Sequence, residues 1–128
     1  PAENIPRKWI ADTGSGHDLI GQNYIGGDYD IEQGKTIRLK TAGGKTSTSD
    51  YVFIHVSGLN EEAKPIVLES TPPVLSIGKK VMTQDYGFHW LPRGRPYFIC
   101  PKGRKTKLKV ENYIHYLIEP GSSNQLRR

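Results

Sequence analysis

Apolar and polar positions alternate with the two-residue period of half-buried strands at two places in this chain. Residues 36–41 set Ile37 and Leu39 between Thr36, Arg38, Lys40 and Thr41, and residues 51–56 place Val52, Ile54 and Val56 on one face. Between them, Gly43-Gly44 is a two-residue turn signal, because the favoured hairpin turn needs positive φ at both central positions. The polar run Thr46-Ser47-Thr48-Ser49-Asp50 follows. Together they predict a glycine-tipped hairpin with long polar arms. Further short apolar runs fall at residues 7–11, at Leu19-Ile20, at 65–68, at 74–78 and at 97–99. The run at 65–68 has the pattern of a strand buried on both sides. Residues 108–118 supply later strands with Leu108, Val110, Ile114 and Ile118 on one side, and Lys102-Gly103 turns ahead of them. One helix is predicted, over 79–85, closed by Gly87 in the left-handed position beyond its last turn. The whole reads as an all-β domain with one short helix.

Composition narrows this. A chain of 128 residues is the size of one domain and can bury a core without disulfides or a structural metal. Residues 1–6 are assigned as an N-terminal tether, 7–118 as the domain and 119–128 as a flexible tail. No apolar run approaches the ~20 residues that a membrane-spanning helix needs, and no signal-peptide pattern opens the chain, so no membrane partner is expected and the cytoplasm is the default location. Cys100 is the single cysteine, which excludes an internal disulfide framework. The only methionine is Met82 and the chain starts at Pro1, so translation is expected to begin elsewhere, the chain being either excised from a longer polypeptide or cut to this boundary. The net charge of +5 is unevenly spread: residues 1–78 carry 7 basic and 10 acidic side chains, and residues 79–128 carry 11 and 3.

The chemistry concentrates at Asp12-Thr13-Gly14-Ser15, entered from Trp9-Ile10-Ala11. Alone, the tripeptide also suits an ordinary turn in which an aspartate caps its own backbone. The ordered set says more. An apolar strand enters the turn, Ser15 follows it, a glycine-tipped hairpin comes about thirty residues later, and an apolar strand ending in Gly78 comes later still. That set resembles the retropepsins, the aspartic proteases of retroviruses and retrotransposons, over residues 7–85. The run around Leu75-Ser76-Ile77 is similar more particularly to the proteases of copia-type elements.

The resemblance implies an acid-protease half-barrel completed by a second copy, and an aspartic endopeptidase processing its own polyprotein. Asp12 would be the catalytic carboxylate. Thr13 would cross-link the two turns through its hydroxyl, Gly14 would leave room for their close approach, and Ser15 would hydrogen-bond the carboxylate. Residues Thr41, Ala42, Gly43, Gly44 and Lys45 would form a flap over an extended peptide substrate. The chemistry agrees, since peptide hydrolysis by carboxylates needs one ionised and one protonated, and two in contact share a proton. One Asp-Thr-Gly in a chain this short requires the second carboxylate from a symmetry mate. No metal or organic cofactor is implied. The chain departs from the family after Gly78, where Lys79-Lys80 stands in place of the Arg-bearing cluster that braces the family's dimers. Lysine lacks arginine's forked geometry, so a weak dimer, a different brace or a dimer formed only within a longer chain is expected.

Other candidates are weaker. His17, His55, His89, His115 and Cys100 show no zinc-site spacing. Cys100 has no neighbouring histidine to activate it. Gly43-Gly44-Lys45-Thr46 lacks the first glycine of a phosphate loop. The alternative is a catalytically silent domain of the same fold that binds peptide or nucleic acid through its basic C-terminal half. There Arg93, Arg95, Lys102, Arg104, Lys105, Lys107 and Lys109 interleave with Trp90, Tyr97, Phe98 and Tyr113. The same lysines also suit a solvated strand face that protects a sheet edge.

Overall fold

A computed structural model describes residues 6–25, 29–41 and 44–120. About half of the chain is strand, with one short helix, as the alternation predicts. The strands are β1 (Lys8–Asp12), β2 (Leu19–Gly21), β3 (Glu32–Thr41), β4 (Gly44–Tyr51), β5 (Ile54–Val56), β6 (Glu61–Ala63), β7 (Ile66–Leu68), β8 (Val74–Ser76), β9 (Gly87–His89), β10 (Tyr97–Ile99), β11 (Lys105–Lys107), β12 (Lys109–Glu111) and β13 (Ile114–Ile118). The helix α1 spans Ile77–Thr83.

Eight strands form one sheet in the order β12-β13-β1-β8-β2-β7-β4-β3. Its centre is interleaved. β8 lies between β1 and β2, running parallel to β1 with Asp12 opposite Ser76 and antiparallel to β2 with Leu19 opposite Val74. β2 in turn runs parallel to β7. Parallel strands tend to be covered on both faces, and every residue of β7 and β8 is buried. The hairpin β3–β4 occupies one edge of this sheet, with Thr41 opposite Gly44 as its last pair. Gly44 has φ +119°, a conformation open to glycine at little cost. Ala42 and Gly43 lie outside the described residues.

One core joins the two halves of the chain. Trp9, Ile20, Val52, Val56 and Leu75 share it with Phe98, Leu108 and Leu117. The three-stranded sheet β11-β10-β9 enters through Phe98, whose ring meets Tyr86 at 5.6 Å and Phe88 at 5.7 Å. Residues 88–118 are therefore built into the same fold as the N-terminal half.

The structure moves several expected boundaries. The helix begins at Ile77, two residues before the expected start, because the Ser76 hydroxyl accepts from the Lys79 amide at 3.0 Å and caps it. It ends at Thr83, and Asp85, not Gly87, takes the left-handed conformation (φ 61°) beyond it; Gly87 opens β9. Residues 108–118 do not present one continuous face. Asn112 and Tyr113, both at positive φ, make a two-residue turn that resets the alternation, so Leu117 faces the core opposite Trp9 while Ile114 is exposed. Residues 51–56 split between β4 and the separate β5–β6 pair, although Val52, Ile54 and Val56 are all buried as expected.

The assigned ends shift as well. Pro6 is fully buried, and so is most of Glu119. The Glu119 carboxylate accepts from the Gly58 amide at 2.7 Å, the Ser57 amide at 3.3 Å and the Trp9 indole at 3.4 Å. A carboxylate that satisfies three donors belongs to the fold, not to the tail. Residues 1–5 and 121–128 lie outside the described residues.

A second buried polar group sits under α1. Lys80 is 2% exposed, its ammonium 3.3 Å from the Glu61 carboxylate and 4.7 Å from the centre of the Tyr86 ring. The Tyr86 hydroxyl donates to the other oxygen of Glu61. Burial, and then this hydrogen bond, push the Tyr86 phenol well above its ordinary range. On the surface, a hydrogen bond from Lys8 at 2.8 Å holds the Glu111 carboxyl below its usual value and raises Lys8. That pair is exposed and contributes little to stability.

Two outcomes are expected. Glu119→Ala strips three donors of their acceptor and should lower the unfolding free energy by about 1–3 kcal/mol in urea denaturation; an unchanged midpoint would deny Glu119 this role. Tyr86 favours the protonated form in the folded state, so its contribution is complete below the ordinary phenol value and declines as pH rises past it. In alkaline absorbance titration Tyr86 should ionise only with unfolding, and Tyr86→Phe should remove one late-titrating group.

Candidate functional site

Asp12 is the last residue of β1, and the turn at 13–18 carries the chain from it into β2. The Gly14 amide donates to Asp12 Oδ1 at 2.7 Å, an aspartate-capped turn that fixes the carboxylate where the strand ends. A side chain at residue 14 would crowd that same oxygen, since a Cβ there would sit 3.2 Å from it. Glycine at this position spares the carboxylate that close contact.

Beneath the turn, β8 supplies the support. Ser76 stands opposite Asp12 across the parallel ladder, and its hydroxyl donates to the Ser15 carbonyl at 2.6 Å. The Ser76 amide donates to Asp18 Oδ1 at 2.7 Å, and the Asp18 carbonyl accepts from the Ile66 amide at 2.9 Å. Asp18 is 4% exposed, so one buried residue ties the turn to β8 through its carboxylate and to β7 through its backbone carbonyl. Sequence reasoning passed over Asp18 and Ser76. The available signal was an acidic residue placed immediately before the apolar pair Leu19-Ile20.

Above the turn lies an open cleft of about 600 Å³. Asp12, Gly14, Ser15 and His17 line one side, Leu39, Lys40 and Thr46 of the hairpin line another, and Leu68, Pro72 and Val74 complete the wall. The expected carboxylate and the expected hairpin thus face one space. The hairpin residues that reach it come from the arms. Lys45 lines a neighbouring surface hollow with Arg38 and Ser47, Thr41 and Gly44 form the last pair toward the tip, and Ala42 and Gly43 are outside the described residues.

The four residues of the motif are placed differently from one another. Asp12 is half-buried at the cleft, while Thr13 and Gly14 are exposed. The Ser15 hydroxyl does not turn to the carboxylate as expected. It donates to the His17 carbonyl at 2.6 Å and stiffens the turn instead. Lys79-Lys80 also separate, with Lys80 buried against Glu61 inside its own chain. Among the described residues, no group of three or more His, Cys, Asp or Glu side chains could hold a metal ion, and no helix is long and apolar enough to cross a membrane. No protein-family model matches the chain, and no curated protein matches it.

Ser76 makes the support testable. Ser76→Ala removes both the cap of α1 and the bond to the Ser15 carbonyl, and should cost about 1–3 kcal/mol in unfolding free energy. Amide hydrogen exchange should accelerate at Lys79; protection there equal to wild type would rule out the capping role.

Proposed function

We propose that this chain is a retropepsin-like aspartic endopeptidase that acts as a homodimer on extended peptide, including segments of the polyprotein that carries it. The observation that supports this reading is the meeting of Asp12, held by the Gly14 amide at a strand end, with the arms of the β3–β4 hairpin across one open cleft. The resemblance of Asp12-Thr13-Gly14-Ser15 and its ordered context to the retropepsins supplies the rest.

In this reading a symmetry mate brings its own Asp12 against the first. The ionised carboxylate takes a proton from water, which attacks the scissile carbonyl carbon. The protonated partner donates to the developing oxyanion, and a proton then passes to the departing amine as the carbon–nitrogen bond breaks. Thr13, exposed at the turn, would link the two turns across the two-fold axis. Gly14 offers no side chain to obstruct their approach. Leu39, Leu68 and Val74 give the cleft apolar walls for alternate side chains of an extended substrate, whose residues repeat every ~3.3 Å.

The deciding experiment is digestion of an unstructured peptide library between about pH 4 and 7, read by mass spectrometry, with Asp12→Asn alongside. Wild-type turnover per chain should rise with protein concentration, as a dimer requires. Asp12→Asn should lose roughly 10²–10⁴-fold or more in rate while its urea midpoint stays near wild type. Absence of cleavage by a chain that sediments as a dimer would overturn the reading.

A further inference from the structure

We infer a second binding site, independent of Asp12: a basic cleft with aromatic walls that takes single-stranded nucleic acid. It lies where the turn after β9 meets the β12–β13 hairpin. A hollow of about 600 Å³ there is lined by Trp90, Arg93, Arg95, Lys109 and Tyr113, and no carboxylate lines it.

Three properties give this cleft its chemistry. The first is charge: between residues 86 and 118 stand seven Lys and Arg against the single acid Glu111. Lys109 leans toward Glu111 at 3.5 Å, but that pair is exposed, and a phosphate can displace it. Arg95 is anchored by one nitrogen to the Leu108 carbonyl at 3.4 Å, which sets its guanidinium at the rim.

The second property is a stacking surface that is already rigid. Trp90 donates its indole N–H to the Gly94 carbonyl at 3.1 Å and packs edge-on against His115 at 4.7 Å. It is nevertheless 44% exposed. A held aromatic plane beside fixed cations is what unpaired bases and their phosphates require together. A folded duplex, whose bases are stacked inside, could use only the charges.

The third is Tyr113. It sits at the tip of the β12–β13 hairpin with φ 68° and is 92% exposed. A tyrosine in the left-handed region is disfavoured, and its ring gains almost nothing from burial there. Both disadvantages fit a ring that waits for a partner outside the chain. Arg93, in the facing turn, is likewise at positive φ (60°), so the two loops present a cation and a ring toward one hollow.

The test is fluorescence anisotropy with the full chain and labelled oligothymidylate and oligouridylate, set against a duplex of equal length and a polyglutamate peptide. Both single strands should bind saturably, with a preference between them distinguishing DNA from RNA as the better ligand. If Arg93, Arg95 and Lys109 neutralise three phosphates, affinity should fall about twentyfold between about 50 and 200 mM salt. Tyr113→Ala and Arg93→Ala, both exposed and remote from the core, should each weaken binding at least about fivefold with unchanged circular dichroism. Absence of saturable binding at low salt overturns the proposal. So does equal binding of the duplex or of polyglutamate, or binding that neither substitution alters. Cleavage by Asp12 is not involved in any arm, so this result stands apart from the peptidase reading.

Discussion

The hydrogen bond from the Ser76 amide to the buried Asp18 carboxylate holds the centre of the molecule together. Two pairs of parallel strands must end side by side while the turn between β1 and β2 stays open to solvent. Parallel strand ends leave backbone groups without ladder partners, and burying them unpaired would be costly. Asp18 and Ser76 satisfy those groups from below, so the turn can project Asp12 upward without unfolding the layer beneath it. The rest follows from that arrangement: β8 can separate β1 from β2, α1 starts where Ser76 caps it, and the cleft has a fixed floor.

Two other buried charged groups extend the same principle to the periphery. Glu119 collects donors from β1 and from the turn after β5, and so ties the last strand to the first. Lys80 is joined to Glu61 and lies over Tyr86, securing α1 to the β5–β6 pair. Loss of Glu61 would leave the Lys80 ammonium buried without its countercharge, and loss of Glu119 would leave three donors without their acceptor, which makes these positions costlier to truncate than surface pairs such as Lys8 with Glu111. Lys80 also bears on assembly. Its charge is spent inside one chain, so any brace between copies must come from other residues.

Much of the architecture was legible because alternation is a local signal. Ile37, Leu39, Ile54 and Val56 announce strands from their immediate neighbours, and Ile66, Val67 and Leu68 announce a doubly covered one. Asp12 stood out as a candidate because its motif is compact, and it lines the cleft above the turn. What the sequence concealed depends on long-range geometry. Ser76 can be known as a cap only once Lys79 is seen above it, and Glu119 as structural only once Gly58 and Trp9 are beside it. The turn at Asn112-Tyr113 lacks the glycine that usually marks its class, so residues 108–118 looked like one stripe. Ser15 was read as a partner of the nearest carboxylate, whereas the carbonyl of His17 lies closer to its hydroxyl in a turn this tight.

The pairing of β1 with β13 has a mechanical consequence. Lys8 stands opposite Ile118, and the Glu119 amide donates to the Arg7 carbonyl at 2.9 Å, so the two ends of the fold leave the sheet at the same point. A pull applied through them does not shear the ladder, which would load its hydrogen bonds together. It peels them apart singly, from Lys8 opposite Ile118 to Ile10 opposite Tyr116. Asp12 lies beyond the last of those pairs and remains held by β8. Tension from flanking chain is thus absorbed by a short zipper before it reaches the turn that carries the carboxylate.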